Sequence, residues 1–186
     1  MARGQSAHHP PAVQVRRLAT ADRESFLEAM RASHLLHHPW VAPPRTSEQF
    51  RALLRRAREP AFEALLATRA CDSAIVGFFN ISEIVRGSFQ SAFLGYGGVH
   101  ERSGQGYMTL ALEQVLRHAF LELRLHRVEA NIQPANVRSL ALVQRCGFQR
   151  EGFSERYLKV SGRWRDHERW AMRSEQWPTA RAARLG

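Results

Sequence analysis

The stretch Leu94–Phe120, LGYGGVHERSGQGYMTLALEQVLRHAF, limits the architecture more than any other part of the chain. It begins as an apolar strand loosened by Gly95, Gly97 and Gly98, then crosses a polar turn holding Gly104 and Gly106. Beyond the turn, apolar residues fall at Met108, Ala111, Leu112, Val115, Leu116, Ala119 and Leu123, the spacing of one buried helical face. A strand, a glycine turn and a helix in that order bring bare backbone N–H groups and the positive end of a helix to one point. A phosphate is held well there. The competing reading is an ordinary glycine turn between strand and helix. No Gly-Lys-Ser/Thr triplet follows, so the turn is not a nucleotide P-loop, and Thr109 stands where a G-x-G-x-x-G fingerprint needs its third glycine.

The rest of the chain arranges itself around this unit. Val13–Leu18 alternates as a first strand, and Thr20 or Asp22 can cap a helix running to about Ser33. His34–Pro44 holds His34, His37, His38, Trp40 and three prolines, and reads as a loop lining a substrate pocket; no carboxylate or thiolate accompanies the histidines as a metal partner. Ser47–Thr68 reads as a second helix, with Phe50, Leu53, Leu54, Phe62, Leu65 and Leu66 on its apolar side and Pro60 breaking or kinking it. Ile75–Ile84 and Ser88–Tyr96, separated by Arg86-Gly87, form a β-hairpin leading into the central strand. Arg127–Ile132 is a further strand and Asn136–Cys146 a short helix ended by Gly147. Phe153–Val160 and Trp164–Met172 are strands flanking Ser161-Gly162. The order implies an α/β mixture with a mixed sheet, in one domain over 12–177. Residues 1–11 read as a disordered leader and 178–186 as a basic tail.

At 186 residues, 44% hydrophobic and 24% charged, the chain is long enough for one full core. Its 27 Lys+Arg against 17 Asp+Glu give a formal charge of +10, mostly from arginine. Such a surplus fits nucleic acid, an anionic membrane or a polyanionic cofactor, although a GC-rich genome also enriches arginine. Cys71 and Cys146 form no C-x-x-C pair, so neither a disulfide framework nor a zinc knuckle is expected. No apolar run approaches the roughly 20 residues that span a bilayer, and no signal-peptide core is visible, which points to a soluble, cytoplasmic protein.

The strand leading to ERSGQG, followed some thirty residues later by NIQPANVRSLALVQRCGF, resembles the GNAT superfamily of acetyl-CoA-dependent N-acyltransferases. Its phosphate-binding signature, Gln/Arg-x-x-Gly-x-Gly/Ala, is matched at Gly104 and Gly106; Glu101 departs from the leading position, with Arg102 adjacent. NISEIVRGSF, LGYGG, SGQGYM and YLKVSGRWRDHERWAM extend the resemblance to the ribosomal-protein-alanine N-acetyltransferases, the Rim group, across Val13 to Trp177. The resemblance implies a central mixed, mostly antiparallel twisted sheet flanked by helices. It also implies acetyl-CoA as the donor, no metal, and a protein N-terminus as the acceptor. A ribosomal protein is the first candidate, with contact to ribosome or RNA through the basic surface; the oligomeric state stays open.

The resemblance also places residues. Arg102, Gly104, Gln105, Gly106, Tyr107 and Met108 would hold the pyrophosphate, and Gly98 and Val99 would pair with the amides of the pantetheine arm. The three strand glycines would mark a bulge or a close approach of backbones. Asn136 would bond the pantetheine and Ser139 would stand beside the departing sulfur, while simple helix capping is the competing reading of both. Many GNAT members carry a tyrosine acid seven residues after this asparagine; Val143 occupies that place here, which makes Ser139 the candidate acid. Glu83 is the candidate base, ahead of Glu101 and Asp166. Cys146 reads as a buried core residue and His167 as a shaper of the acceptor pocket or a solvent-facing group. Three alternatives stay open: a small-amine acetyltransferase, a non-catalytic ribosome- or RNA-binding module, and an acyltransferase acting on tRNA or lysine side chains.

Overall fold

In the computed structural model, residues 12–178 are described. The expected leader and all of the expected tail except Pro178 lie outside the described residues. Seven strands form one sheet, flanked by helices on both faces. In chain order the elements are β1 (Val13–Arg17), α1 (Arg23–Ala32), α2 (His34–His37), α3 (Ser47–Arg56), β2 (Phe62–Arg69), β3 (Ile75–Val85), β4 (Ser91–Gly98) and α4 (Tyr107–Arg117). These are followed by β5 (Arg127–Ile132), α5 (Val137–Arg145), β6 (Gln149–Val160) and β7 (Arg163–Arg173).

The sheet order is β1-β2-β3-β4-β5-β7-β6, and every neighbouring pair is antiparallel except β4 and β5. On one face α4 and α5 bury Ala111, Leu112, Val115, Leu116 and Val143 against Leu65, Phe79, Leu94 and Val128. This is the apolar stripe visible in the sequence. On the other face Phe26, Met30 and Phe50 of α1 and α3 meet Ala64, Leu66 and Phe78. The outer strand β1 is closed along its free edge by Gln114 of α4, which accepts the Val15 N–H at 3.2 Å and donates to the Val13 carbonyl at 2.5 Å.

Two local expectations are corrected. The helix expected over Ser47–Thr68 ends at Arg56, and Phe62–Arg69 is instead the strand β2 between β1 and β3. Pro60 stops the helix, and the residues beyond it are buried on both faces from Phe62 to Thr68, so no alternation marks them as a strand. Glu, Ala and Leu favour helices, but burial between two strands overrides that preference. The segment 34–44 is also more ordered than a loop: it opens with the single turn α2 and contains a cis His38–Pro39 bond.

The expected bulge at Gly95–Gly98 is absent from the β3–β4 register, which runs unbroken from Gly77↔Gly98 to Ser82↔Phe93. Close approach is the reason for glycine at 97, where a Cβ would fall 2.6 Å from the Phe78 ring and 3.2 Å from His37 Nε2. The register shift lies further along β3, between Ser82 and Val85. Strand β6 begins at Gln149 rather than Phe153, because its first residues are exposed and polar and carry no apolar signal.

Candidate active site

Strands β4 and β5 touch only at Ser91–Arg127, Ala92–Val128 and Phe93–Glu129. Past Phe93 they part. Strand β4 continues to Gly98 alongside β3, and β5 continues to Ile132 alongside β7. A wedge therefore opens in the middle of the sheet. Val99 donates its N–H to the Val76 carbonyl at 2.9 Å, so by alternation Tyr96 and Gly98 turn their main-chain groups into the wedge. Val99, expected to line the opening with Gly98, has its N–H on Val76 and its carbonyl on the Arg102 N–H. Tyr96 takes that place.

The α4 helix begins at the mouth of the wedge. Gly106, just before it, has φ 82° and Gly104 has φ 77°, left-handed values that favour glycine, and a Cβ at either would meet nothing within 4 Å. These glycines thus serve the shape of the loop and leave its outer surface clear. The loop is braced from within by Gln105, whose amide donates to the Glu101 carbonyl at 2.9 Å. Arg102 closes the short turn before it. Tyr107 and Met108 form the first turn of α4, and Met108 packs beneath the glycine strand, where a Cβ on Gly98 would lie 3.3 Å from its Cγ. The four leading N–H groups of a helix lack intrahelical partners, so this end is suited to an anion.

Helix α5 forms one wall of the wedge. Asn136 caps it, its side-chain oxygen accepting the Ser139 N–H at 3.2 Å, so the capping reading is realised. The Ser139 hydroxyl lies 2.5 Å from the Tyr96 hydroxyl. Tyr96 comes from β4, its ring packed beside Phe79 with centroids 5.8 Å apart. Removal of the phenol from water raises its pKa well above the ordinary 10, an effect that its bond to Ser139 only partly offsets, so it stays protonated. Val143 is fully buried core, as is Cys146. Tyr96 is not among the site residues expected from the sequence. Its signal was present in LGYGG, the single large side chain between glycines on a strand whose even positions face α5.

Glu83 is not brought to this pair. It sits in the register shift with φ 51°, its side chain is 62% exposed, and its carboxylate bonds Arg56 at 3.0 Å. Phe79, across from Tyr96, is four residues away, roughly 13 Å along the strand. Glu101 is exposed beside the loop that holds Gly104 and Gly106. Asp166 accepts the Arg156 N–H at 2.8 Å in the β6–β7 hairpin.

The opposite face of the wedge is polar. Asn80 pairs with Gly95 and Asn131 with Arg169, so these four positions form a row across the sheet, one side-chain step beyond Phe93–Glu129. Gly95 leaves a notch in the row, with nothing within 4 Å of where its Cβ would stand. The segment 34–44 crosses this face. Buried His37 reaches the Gly98 carbonyl at 2.8 Å, and the Gln133 amide reaches the Trp40 carbonyl at 3.4 Å, which ties the segment to both arms of the wedge. A carbonyl only accepts, so His37 Nε2 carries the proton and Nδ1 is a bare lone pair. Burial lowers the His37 pKa and keeps the ring neutral. His167, read as a pocket-shaping or a solvent-facing group, lies on this face and is buried, with Nδ1 on the Arg165 carbonyl at 2.9 Å.

Among the described residues no group of three or more His, Cys, Asp and Glu side chains could hold a metal, and no helix is long and apolar enough to cross a membrane. Comparison with known proteins gives a consistent result. A family profile described as an acetyltransferase (GNAT) domain matches residues 13–149. The chain is 38% identical over 99 residues to the probable N-acetyltransferase YjcK of Bacillus subtilis, covering 53% of this chain and 55% of that protein. It is also 38% identical over 110 residues to the ribosomal protein uS5-alanine N-acetyltransferase of Escherichia coli, covering 59% and 57%. It thus spans little more than half the length of these curated relatives. Over 95% of its own length it superposes on 91% of RimJ of Mycobacterium smegmatis, solved in complex with CoA-disulfide, with TM-score 0.81 and 30% identity. The spermidine N-acetyltransferase of Vibrio cholerae, solved with CoA and spermine, shares the fold at TM-score 0.76 and 18% identity over 89% of this chain and 98% of that one.

Proposed function

Because the chain belongs to the GNAT acetyltransferase family, we propose that it transfers an acetyl group from acetyl-CoA to the N-terminal α-amino group of a protein. A ribosomal protein beginning with Ala or Ser is the proposed acceptor, modified in the cytoplasm. The observation that carries the reading is the wedge between β4 and β5, with the α4 start at its mouth and the Tyr96–Ser139 hydroxyl pair on its wall. The 38% identity to the uS5-alanine enzyme and the 30% identity to RimJ support the choice of acceptor.

In this reading the loop at Arg102, Gly104, Gln105 and Gly106 and the first turn of α4, Tyr107 and Met108, receive the pyrophosphate. The main chain of Tyr96 and Gly98 supplies the strand-like edge that a pantetheine amide chain pairs with. Asn136 holds the start of α5 in place. Main-chain N–H groups turned into the wedge stabilise the acyl oxygen as it gains charge, a contribution of about 100- to 1,000-fold per donor in rate. Nitrogen attacks the acyl carbon, the carbon–sulfur bond breaks, and the Ser139 hydroxyl gives its proton to the departing thiolate. Tyr96 restores the proton to Ser139 and regains its own from the solvent that takes the amine's proton, so both hydroxyls end the cycle protonated. Glu83 lies too far along β3 to serve, so the amine's proton leaves to water. An α-amine of pKa near 8 asks little of a base.

The test is mass spectrometry of N-terminal peptides of ribosomal proteins, a lysine-side-chain peptide and small amines, each incubated with enzyme and acetyl-CoA. One acetyl group gained on an α-amine, strongest for Ala or Ser at the first position, supports the reading. Modification of small amines alone overturns the acceptor, and failure to bind acetyl-CoA overturns the whole.

A further inference from the structure

The arginines placed around the α4 start differ in how far their charge is already engaged. Arg102 belongs to the turn that leads into the loop. Arg69, at the end of β2, lies against Tyr107, but the Asp72 carboxylate holds its guanidinium, with Nε on Oδ1 at 3.0 Å. Arg145 is the last residue of α5. Its side chain crosses to α4 and donates from Nη1 to the Thr109 hydroxyl at 3.2 Å. That hydroxyl carries no charge, and it is the only bonded partner of Arg145 among the described residues. Glu113, one turn further along α4 from Thr109, has interactions of its own. An exposed guanidinium therefore stands over the first turn of α4 with its charge unpaired and most of its fork of N–H donors free. Its place along the helix matters. The Thr109 N–H is already bonded to the Gly106 carbonyl at 3.0 Å, so the cup of free N–H groups lies ahead of Thr109, toward the loop. Thr109 is two residues past Tyr107, roughly 3 Å along the axis, which puts Arg145 beside the cup and not within it.

We propose that Arg145 is a specificity residue for the donor: it binds the phosphate carried on the 3′ carbon of the CoA ribose and so sets CoA apart from dephospho-CoA. The inference rests on the placement of the donor's pyrophosphate at the α4 start. The ribose is the next group along the donor from the pyrophosphate, so a second anion attached to it falls beside the first. The 3′-phosphate is a dianion at neutral pH with three acceptor oxygens, and a planar guanidinium meets two of them at once, which a single ammonium cannot do. The bond to Thr109 already holds the guanidinium in place over α4, so less freedom is lost when the phosphate arrives. Arg69 is unsuited to the same task, because an anion approaching it also meets the Asp72 carboxylate. An arginine in the last turn of a helix also suits the negative end of the dipole, a role that depends on no ligand. The two roles separate experimentally, since only a phosphate contact distinguishes two ligands that differ by one phosphate.

The test is calorimetry on the full chain with CoA and 3′-dephospho-CoA, in the wild type, Arg145→Gln, Arg145→Lys and Arg69→Gln, alongside thermal melts. The wild type should bind CoA roughly 10- to 100-fold more tightly than dephospho-CoA. Arg145→Gln should bring that ratio to within about threefold of one through loss of CoA affinity, with dephospho-CoA affinity unchanged within about twofold. Arg145→Lys should keep an intermediate ratio, because it retains the charge and loses the fork. Arg69→Gln should keep the wild-type ratio. A wild-type ratio near one overturns the assignment, as does a ratio abolished by Arg69→Gln and kept by Arg145→Gln. Equal loss of both ligands in Arg145→Gln also overturns it: with Tm unchanged the guanidinium serves the pyrophosphate, and with Tm lowered it serves the helix end. Failure of the wild type to bind either ligand would refute the placement of the donor itself, and with it the transfer reading; binding with the expected ratio but no acetyl transfer to any amine would refute the transfer reading and uphold Arg145.

Discussion

The contact between Tyr96 and Ser139 makes the sharpest prediction. Tyr96→Phe deletes one oxygen and keeps the ring packed on Phe79. If the bond at 2.5 Å is structural only, its loss should cost about 1 kcal/mol of stability, which for a chain of this length lowers Tm by about 2–4 °C. If Ser139 draws its proton from Tyr96, kcat should in addition fall by about 100-fold, the lower end of what general acid catalysis contributes, with the KM for acetyl-CoA unchanged. The two hydroxyls then act as one unit, so Tyr96→Phe, Ser139→Ala and the double variant should have kcat values within about threefold of one another. Single-turnover measurement with an Ala-initiated peptide, alongside thermal melts, separates the two cases. A Tyr96→Phe enzyme that keeps a third or more of its kcat, or single-variant losses that multiply in the double variant, refutes the relay and leaves the Ser139 hydroxyl a structural partner of Tyr96 alone.

Other outcomes follow from the same geometry. Gly106→Asp forces φ 82° on a side chain and places a carboxylate at the α4 start; acetyl-CoA affinity by calorimetry should fall at least 100-fold while the circular dichroism spectrum is kept. Glu83→Gln should leave the pH–rate profile unchanged, since the carboxylate faces Arg56 and solvent; a lost basic limb would reinstate it as the base. His118 is bonded to Glu63 at 2.6 Å and Glu122 at 2.8 Å, with Glu63 the larger influence, and its pKa is raised above 6.5. Burial alone would raise the Glu63 pKa, but His118 and Arg17 hold it below 4.5. The histidine's contribution to stability is therefore full below pH 6.5 and is lost as pH rises through its elevated value, whereas that of Glu63 is lost on acidification below about 4.5. Thermal melts should show Tm falling from pH 6 toward 8, and His118→Gln should flatten that slope.

The strand, glycine turn and helix of residues 94–120 were legible because each part has a signal that local chemistry sets: glycines with positive φ at 104 and 106, and apolar spacing on α4. Strand β2 was hidden, since Phe62 to Thr68 are buried on both sides and composed of residues that also suit a helix. Asn136 and Ser139 were found through their place at a helix start, where capping needs them in any case. Tyr96 was not: LGYGG marks it as the one large side chain among glycines, but its partner on α5 lies 43 residues away, and no local pattern announces that meeting. The polar row escaped for the same reason: Asn80, Asn131 and Arg169 lie on three strands and become neighbours only through register. Glu83 looked apt as a carboxylate near glycines, and its true partner, Arg56, comes from a helix 27 residues earlier.

The sheet can finally be viewed as a piece of mechanics. Three residue pairs join its two halves, β1 to β4 on one side and β5 to β7 on the other, so the join is a hinge with little bending stiffness of its own. It is stitched on one face by Tyr96 and Ser139 and on the other by the 34–44 segment, anchored at Gly98 and Gln133. A chain of amides lying in the wedge completes the missing ladder and lends the sheet the stiffness its own sequence withholds. The empty enzyme should thus be the soft form, with amide hydrogens of Tyr96, Gly98 and Ala130–Ile132 exchanging faster than those of β2 and β3, and CoA should slow them even though it adds no covalent bond.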